Sequence, residues 1–488
     1  MRKDNAILLG KAEDKDVLIN PAQLNRHGLI TGASGTGKTV TLKVIAESLS
    51  ELGVPSIIAD VKGDLTGMIN PGDQNKIHSR VDSMGLQGFA CQSFPVSLFD
   101  VYGERGVPVR MAMETFDPLF LCRIFDLTEA QEGNLSIIFQ MAADMKLDLI
   151  DLKDLQAMIS YASDHLDELS STYGHLTKAS LGTIQRKLLQ FEQQGGSRLF
   201  GLPEIDMNDL MRKENDKGVI SLLECQDVFH QPQLYAMFLL SLLNRLFVEL
   251  PEAGDQALPK AVFFFDEAHL LFDDAPKSLV NQVIQIVKLI RSKGIGVFFC
   301  SQNPADIPEE VLAQLGCRIQ HALRAYTPAE TKKIKAAADS FRPNPAFDTQ
   351  EAIMNLETGW ALVSVLDEKG APTVVEKTQI CPPESSMDAA DEAKCRLFFK
   401  GSALYEKYGK EVDPESAFEL IQKENEEAEA AEKVEKEEAE KKKQEEKADR
   451  ERMRNASRFA RKVQNRAENE VINIGIRSAR KFLKNLLK

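Results

Sequence analysis

The chain has 488 residues, 43% of them hydrophobic and 27% charged, enough apolar material for the full core of one large domain with smaller attachments. Its formal net charge of −14 excludes a protein that grips a polyanion by being basic throughout. The charge is uneven: residues 451–488 hold 11 Lys/Arg against 3 Asp/Glu and residues 421–450 hold 8 against 12, which leaves −18 on the first 420.

Seven scattered cysteines without a C-x-x-C pair imply neither a zinc site nor a disulfide framework and favour a reducing cytosol. The first apolar run, AILLG, is too short for a signal peptide. The most apolar stretch, residues 235–250, is broken by Asn244 and Arg245, well short of the roughly 20 residues a membrane span requires. A cytoplasmic protein with no integral membrane span is the expectation.

Residues 5–31 alternate short apolar runs with polar turns, which predicts an N-terminal β-hairpin followed by a strand, GLIT. A glycine-rich loop comes next, then a helix, TLKVIAESLSELG, ending at Gly53. VPSIIAD reads as a second strand. Strand, loop, helix and strand form a βαβ unit and imply a mostly parallel sheet covered on both faces. From 112 to 210 the apolar periodicity is helical and predicts an all-α insertion.

Strands return at 217–225, 260–267, 294–302 and 317–323, and a hairpin turning at Gly370 completes the core. Pro382 and Pro383 mark a boundary near 383. Residues 421–450 are nearly all Glu, Lys and Ala, with Glu-to-Lys pairs four apart such as Glu429 and Lys433, which predicts a solvated helix. In the end segment Ala460, Val463, Ala467, Val471, Ile474 and Phe482 make an apolar stripe among Arg and Lys, and Gly475 argues against one continuous helix. Such a segment could dock on the body, touch phosphates or lie on an anionic membrane.

The loop Gly32-Ala33-Ser34-Gly35-Thr36-Gly37-Lys38-Thr39 is a full G-x-x-x-x-G-K-[ST] match. Glycines let the backbone bend around phosphates and aim N–H groups inward, while the following helix presents its positive end. Lys38 would neutralise the β and γ phosphates of ATP, and Thr39 would ligand Mg²⁺.

Hydrolysis also needs a second metal ligand and a base. In VFFFDEAH, 262–269, a buried strand would deliver Asp266 to the metal and Glu267 beside the γ phosphate as general base. Gln302, ending the next strand, would sense that phosphate or position water. Its alternative is a cap on the loop at Pro304. Asp60, Lys62 and Asp64 fall on the same strand edge, either as ligand contacts or as an ion pair shaping their turn. His27 and His269 have no ligand-spaced partners and read as structural.

This order of elements resembles the HerA-like and FtsK-like ring ATPases that pump or unwind DNA, most of all the bacterial HerA-like group. The residues that carry the resemblance are RHGLIT at 26–31 leading into GASGTGKT, DVKGD at 60–64, FFFDEAH, and IRSKGIGVFFCSQNP. It covers roughly residues 5–385, with the insertion poorly matched. FtsK-type translocases usually carry Thr-Gln-Arg-Pro where this chain has Ser301-Gln302-Asn303-Pro304.

The resemblance implies an additional-strand, RecA-like P-loop core of α/β class and a homo-oligomer, a hexamer, with each ATP between subunits. An arginine from the neighbour would complete each site, Arg291 or Arg318, with Arg324 a third candidate; each reads equally well as a salt-bridging residue. The output implied is Mg²⁺-dependent ATP hydrolysis driving DNA translocation or unwinding, with any nuclease or other protein partner left open. The alternatives are an ATP-controlled assembly switch or a protein-remodelling ATPase with no DNA substrate.

The expected division is 1–111 for the first part of the core with the phosphate loop, 112–210 for the insertion, and 211–383 for the second part of the core. A linker and charged helical segment, 384–450, and a basic amphipathic end segment, 451–488, would follow.

Overall fold

The computed structural model describes residues 1–3, 5–254, 256–273 and 275–486. The strands in its first half are β1 (Arg2–Lys3), β2 (Ala6–Ala12), β3 (Lys15–Ile19), β4 (Gly28–Thr31), β5 (Ser56–Asp60), β6 (Val96–Asp100) and β7 (Val107–Pro108). A small ribbon, β8 (Lys213–Glu214) and β9 (Lys217–Gly218), precedes β10 (Ile220–Glu224), β11 (Ala261–Phe265), β12 (Ile295–Ser301), β13 (Cys317–Gln320), β14 (Trp360–Ser364) and β15 (Glu376–Ile380).

All but the ribbon join one sheet in the order β1-β2-β15-β14-β13-β4-β12-β11-β5-β10-β6-β7, with β3 on β2. From β13 through β7 every pairing is parallel; from β13 back to β1 every pairing is antiparallel. The interior strands read as unbroken apolar runs because helices cover both faces, and β5, β6, β10, β11 and β12 are buried at every position. Strand β12 lies between β4, which feeds the phosphate loop, and β11. That intervening strand makes this the additional-strand P-loop architecture expected, with the N-terminal hairpin β2–β3 at the antiparallel end.

The segment between β7 and the β8–β9 ribbon is helical, with Pro118–Ile124, Glu129–Met145, Leu152–Asp164, Leu166–Tyr173 and Lys178–Gln193 its longer helices. Its starts are written locally. Asp117 accepts from Leu119 N–H with Pro118 in the first turn, Thr128 and Gln131 form a capping box, and Thr177 accepts from Ser180 N–H. The two ends of this segment meet where Met111 N–H donates to Leu199 O at 2.9 Å and Gly201 N–H to Met111 O at 3.1 Å. Phe125 packs edge-on against Phe191 inside, with centroids 5.3 Å apart.

The boundary expected near 383 falls inside a compact unit that runs from Met1 to Phe418. Glu384 and Ser385 are buried, and their N–H groups donate to Glu47 at 2.7 and 3.2 Å. Glu384 also accepts from the Met1 α-amine at 2.7 Å. Pro382 and Pro383 thus end β15 rather than a domain, and helices Glu392–Lys400 and Ala403–Tyr408 belong to the same unit.

The second unit begins at Glu419 and is one helix, part of Ala417–Leu486. It passes Gly475 unbroken, because a helix interior tolerates glycine at about 1 kcal/mol. Residues 422–483 are exposed throughout. No described helix is long and apolar enough to cross a membrane.

Candidate nucleotide site

Strand β4 ends at Thr31, and the chain turns through Gly32 to Gly37 before the helix Lys38–Glu51 begins. Gly35 and Gly37 sit at φ 75° and 117° and Gly32 at 155°, a path that an L side chain resists. Lys38 is buried and donates to Gly32 O at 2.6 Å and Ala33 O at 3.3 Å. The first helical bond runs from Thr41 N–H to Gly37 O, and the helix has neither a side-chain cap nor an acidic residue in its first turn. Its positive end is therefore left for an anion.

Two strands along the sheet, β11 ends at Phe265 and hands over to Asp266 and Glu267, both buried. Glu267 takes a left-handed backbone, φ 47°, uncommon for a residue with a side chain and typical of functional turns. The three charged side chains converge. Burial holds the Lys38 amine below its ordinary pKa, while the charges of Glu267 and Asp266 act on it in the opposite sense. Burial pushes the Asp266 carboxyl up to about 7 against the pull of Lys62, with Glu267, Asp60 and Asp64 adding to the rise. Glu267 moves the other way. Burial raises it, but its bond to Lys62 and the charges of Lys62, Lys38 and His269 outweigh that and leave it below the usual carboxylate value.

The donor set suits a hard divalent cation. Asp266 Oδ2 is buried without a hydrogen-bond partner, and Thr39 offers a hydroxyl in the first turn of the loop's helix. Among the described residues no three His, Cys, Asp or Glu gather as an all-protein metal cage. One carboxylate, one hydroxyl and phosphate oxygens are the set Mg²⁺ prefers over such a cage.

Ser301 pairs with Thr31 across β12 and β4, and Gly32 N–H donates to Ser301 O at 3.3 Å. This register sets Gln302, which is exposed, beside the start of the loop. Neither Arg291 nor Arg318 is at that edge. Arg291 precedes β12, next to His27 at the opposite ends of the strands. Arg318 donates to Leu312 O, Leu315 O and Ser340 O at 3.1, 3.3 and 3.3 Å. Arg324 donates to Met354 O and, at 3.5 Å, to Leu356 O.

The sequence places Lys62 on this edge but not its partner: it forms its ion pair with Glu267, 205 positions away, rather than with a neighbour in its own turn. One participant, His321, escaped the sequence reading. His321 follows β13; its Nδ1 donates to Trp360 O at 2.9 Å, which leaves Nε2 to accept from the Thr41 hydroxyl at 2.8 Å. Its Cβ stands 2.5 Å from where a Cβ on Gly32 would be. No spacing rule marks His321, but β13 lying beside β4 places it there.

A family model described as helicase HerA-like, C-terminal, matches residues 5–487. The chain belongs to the HerA-like family. This HerA-like chain is 21% identical to the DNA double-strand break repair helicase HerA of Sulfolobus acidocaldarius over 361 residues, 73% of this chain and 65% of that relative. It thus spans about 65% of the relative's length.

Among solved structures it is similar to VirB4 of Thermoanaerobacter pseudethanolicus, at 16% identity and TM-score 0.50, covering 78% of this chain and 97% of that one. The bacterial conjugative coupling protein TrwBdeltaN70 gives 14% identity and TM-score 0.52, covering 80% and 93%. TrwB in complex with the non-hydrolysable ATP analogue ADPNP gives 12% and 0.52 with the same coverage. At these identities the likeness is one of fold.

Proposed function

We propose that this HerA-like chain is an ATPase that works as a homohexameric ring and uses the released energy to translocate or unwind DNA. The observation that carries the reading is the gathering of Lys38, Asp266 and Glu267 at one edge of the sheet, beside a helix N-terminus with no acidic side chain of its own. The DNA substrate is suggested by the relatives, a DNA repair helicase and a plasmid coupling protein.

In this mechanism the loop N–H groups and Lys38 bind the β and γ phosphates and fix the terminal phosphorus. Mg²⁺ held by Thr39 and Asp266 would neutralise charge on the phosphate oxygens. Glu267 takes a proton from a water whose oxygen bonds to the γ phosphorus as the bond to the β–γ bridging oxygen breaks. ADP leaves with the bridging oxygen, inorganic phosphate keeps the new one, and the proton passes from Glu267 to solvent. Gln302 orients the water, and an arginine of the neighbouring subunit stabilises the charge developing on the phosphoryl group.

The test is the ATPase rate of the full chain with and without double-stranded DNA, for wild type, Lys38→Ala and Glu267→Gln. DNA should stimulate the wild type, and both variants should lose at least about a hundredfold in kcat. The acidic balance of residues 1–420, −18, favours a second reading, a remodelling or switch ATPase without DNA. Turnover indifferent to DNA would select it.

A further inference from the structure

Resting on the assignment of Glu267 as the base, the inference concerns what aims that base. Strands β5 and β11 are adjacent and parallel, with Ala59 opposite Phe265, so the turn after one lies beside the turn after the other. The first turn is tied down by buried Asp60, whose carboxylate accepts N–H bonds from Lys62 at 3.1 Å, Gly63 at 2.7 Å and Leu65 at 3.0 Å. From this braced turn the Lys62 ammonium reaches across and bonds Glu267 Oε1.

The two oxygens of Glu267 are therefore unequal. Oε1 is anchored, while Oε2 is buried without a hydrogen-bond partner and lies 3.4 Å from His269 Nδ1, which also lacks one. A carboxylate held by one oxygen cannot turn about its final bond, and its other oxygen keeps a fixed direction. A base aimed at an in-line water needs that constraint, since a misplacement of about 1 Å lowers turnover on the order of a hundredfold.

We propose that Lys62 is the positioning residue of this site: by holding Oε1 of Glu267 it presents Oε2 to the attacking water, and it acts on turnover rather than on nucleotide binding. Lys62 gives its side-chain hydrogen bond to Glu267. Its side chain is 45% exposed, so it holds Glu267 from the rim of the site.

The test uses the full chain and compares Lys62→Met with Lys62→Arg. It measures steady-state kcat for ATP together with the equilibrium Kd of a ribose-labelled fluorescent ATP. Lys62→Met should lose about thirtyfold in kcat and keep Kd within about threefold, and Lys62→Arg should recover kcat to within about fivefold of wild type. A Lys62→Met protein with wild-type kcat overturns the proposal. Equal loss of binding and turnover in both variants also overturns it, by making Lys62 part of the scaffold.

Glu267→Gln in parallel separates the two ideas. If it turns over like wild type, the proposed function has failed and this inference with it. If it is inactive while Lys62→Met is not, the inference alone is lost.

Discussion

His27, at the far end of β4 from the phosphate loop, shows how tightly single residues of the core are fixed. Val297 N–H donates to its Nδ1 at 3.0 Å, and its Nε2 donates to Val287 O at 2.8 Å. Protonating Nδ1 would break the first bond in a fully buried place. Burial lowers its pKa to about 4, with Arg291 adding to the fall and the Val287 bond opposing it. The unfolded state takes up this proton near the ordinary value of about 6.5, so the contribution is complete above that pH and is lost as pH falls toward 4. Between pH 7 and 5 His27 should cost about 2 kcal/mol of stability. Its ring resonances in the folded protein should keep neutral shifts at pH 5.5, where the unfolded imidazole is mostly charged; a folded-state midpoint near 6.5 by NMR would refute this. Gly32→Ala is the companion case. A Cβ there would sit 2.5 Å from His321 Cβ and 2.8 Å from Thr36 Oγ1, so the loop has to move. We expect a loss of about 1–3 kcal/mol in urea unfolding and at least a tenfold weaker nucleotide Kd.

Among the elements, what could be read from the chain and what could not divide along one physical line. The strands β4, β5 and β11 announce themselves as apolar runs closed by glycine or acid, and β12 as one closed by Ser301 and Gln302, because burial on both faces leaves no room for alternation. The loop and the Asp266-Glu267 pair are legible because each sits at the end of such a run. The partner of Lys62 is not, since its ion pair crosses 205 positions and depends on β5 being laid beside β11. The end of the compact unit is hidden for a similar reason. Pro382 and Pro383 look like punctuation, yet Asp154, fully buried, waits for residues far downstream: its Oδ1 accepts from Ser416 Oγ at 2.7 Å and Phe418 N–H at 2.9 Å. Its Oδ2 meanwhile caps Ile150 and Asp151 at 2.8 and 2.9 Å. A chain cut after residue 424 should therefore unfold within about two degrees of the full chain. One cut after 413 leaves Oδ1 of a buried carboxylate without these donors and should lose about 1–3 kcal/mol. Equal melting temperatures for the two truncations would show that Asp154 does not close the unit.

At the scale of the whole molecule the argument turns on which site each arginine serves. Arg318 gives three of its donors to carbonyls of its own chain, and withdrawing them would leave those carbonyls without that donor. Arg291 precedes β12, whereas the phosphate loop lies at the other ends of the strands, so it stands away from the nucleotide of its own subunit. In the proposed ring, built head to tail, a residue at that end of the strands would face a neighbour's site rather than its own, and on this ground of position Arg291 is the candidate tested for action in trans. Subunit mixing reads this directly. Glu267→Gln lacks the base but carries the arginine, and Arg291→Ala carries the base but lacks the arginine; each alone should be inactive. In rings assembled from equal amounts of both, a working interface needs the base from one variant and the arginine from the other, which random mixing supplies at about a quarter of the interfaces. Recovery toward about a quarter of wild-type activity is expected. No recovery from mixtures whose exchange is verified by mass would place Arg291 outside the catalytic interface, and an active Arg291→Ala protein on its own would do the same.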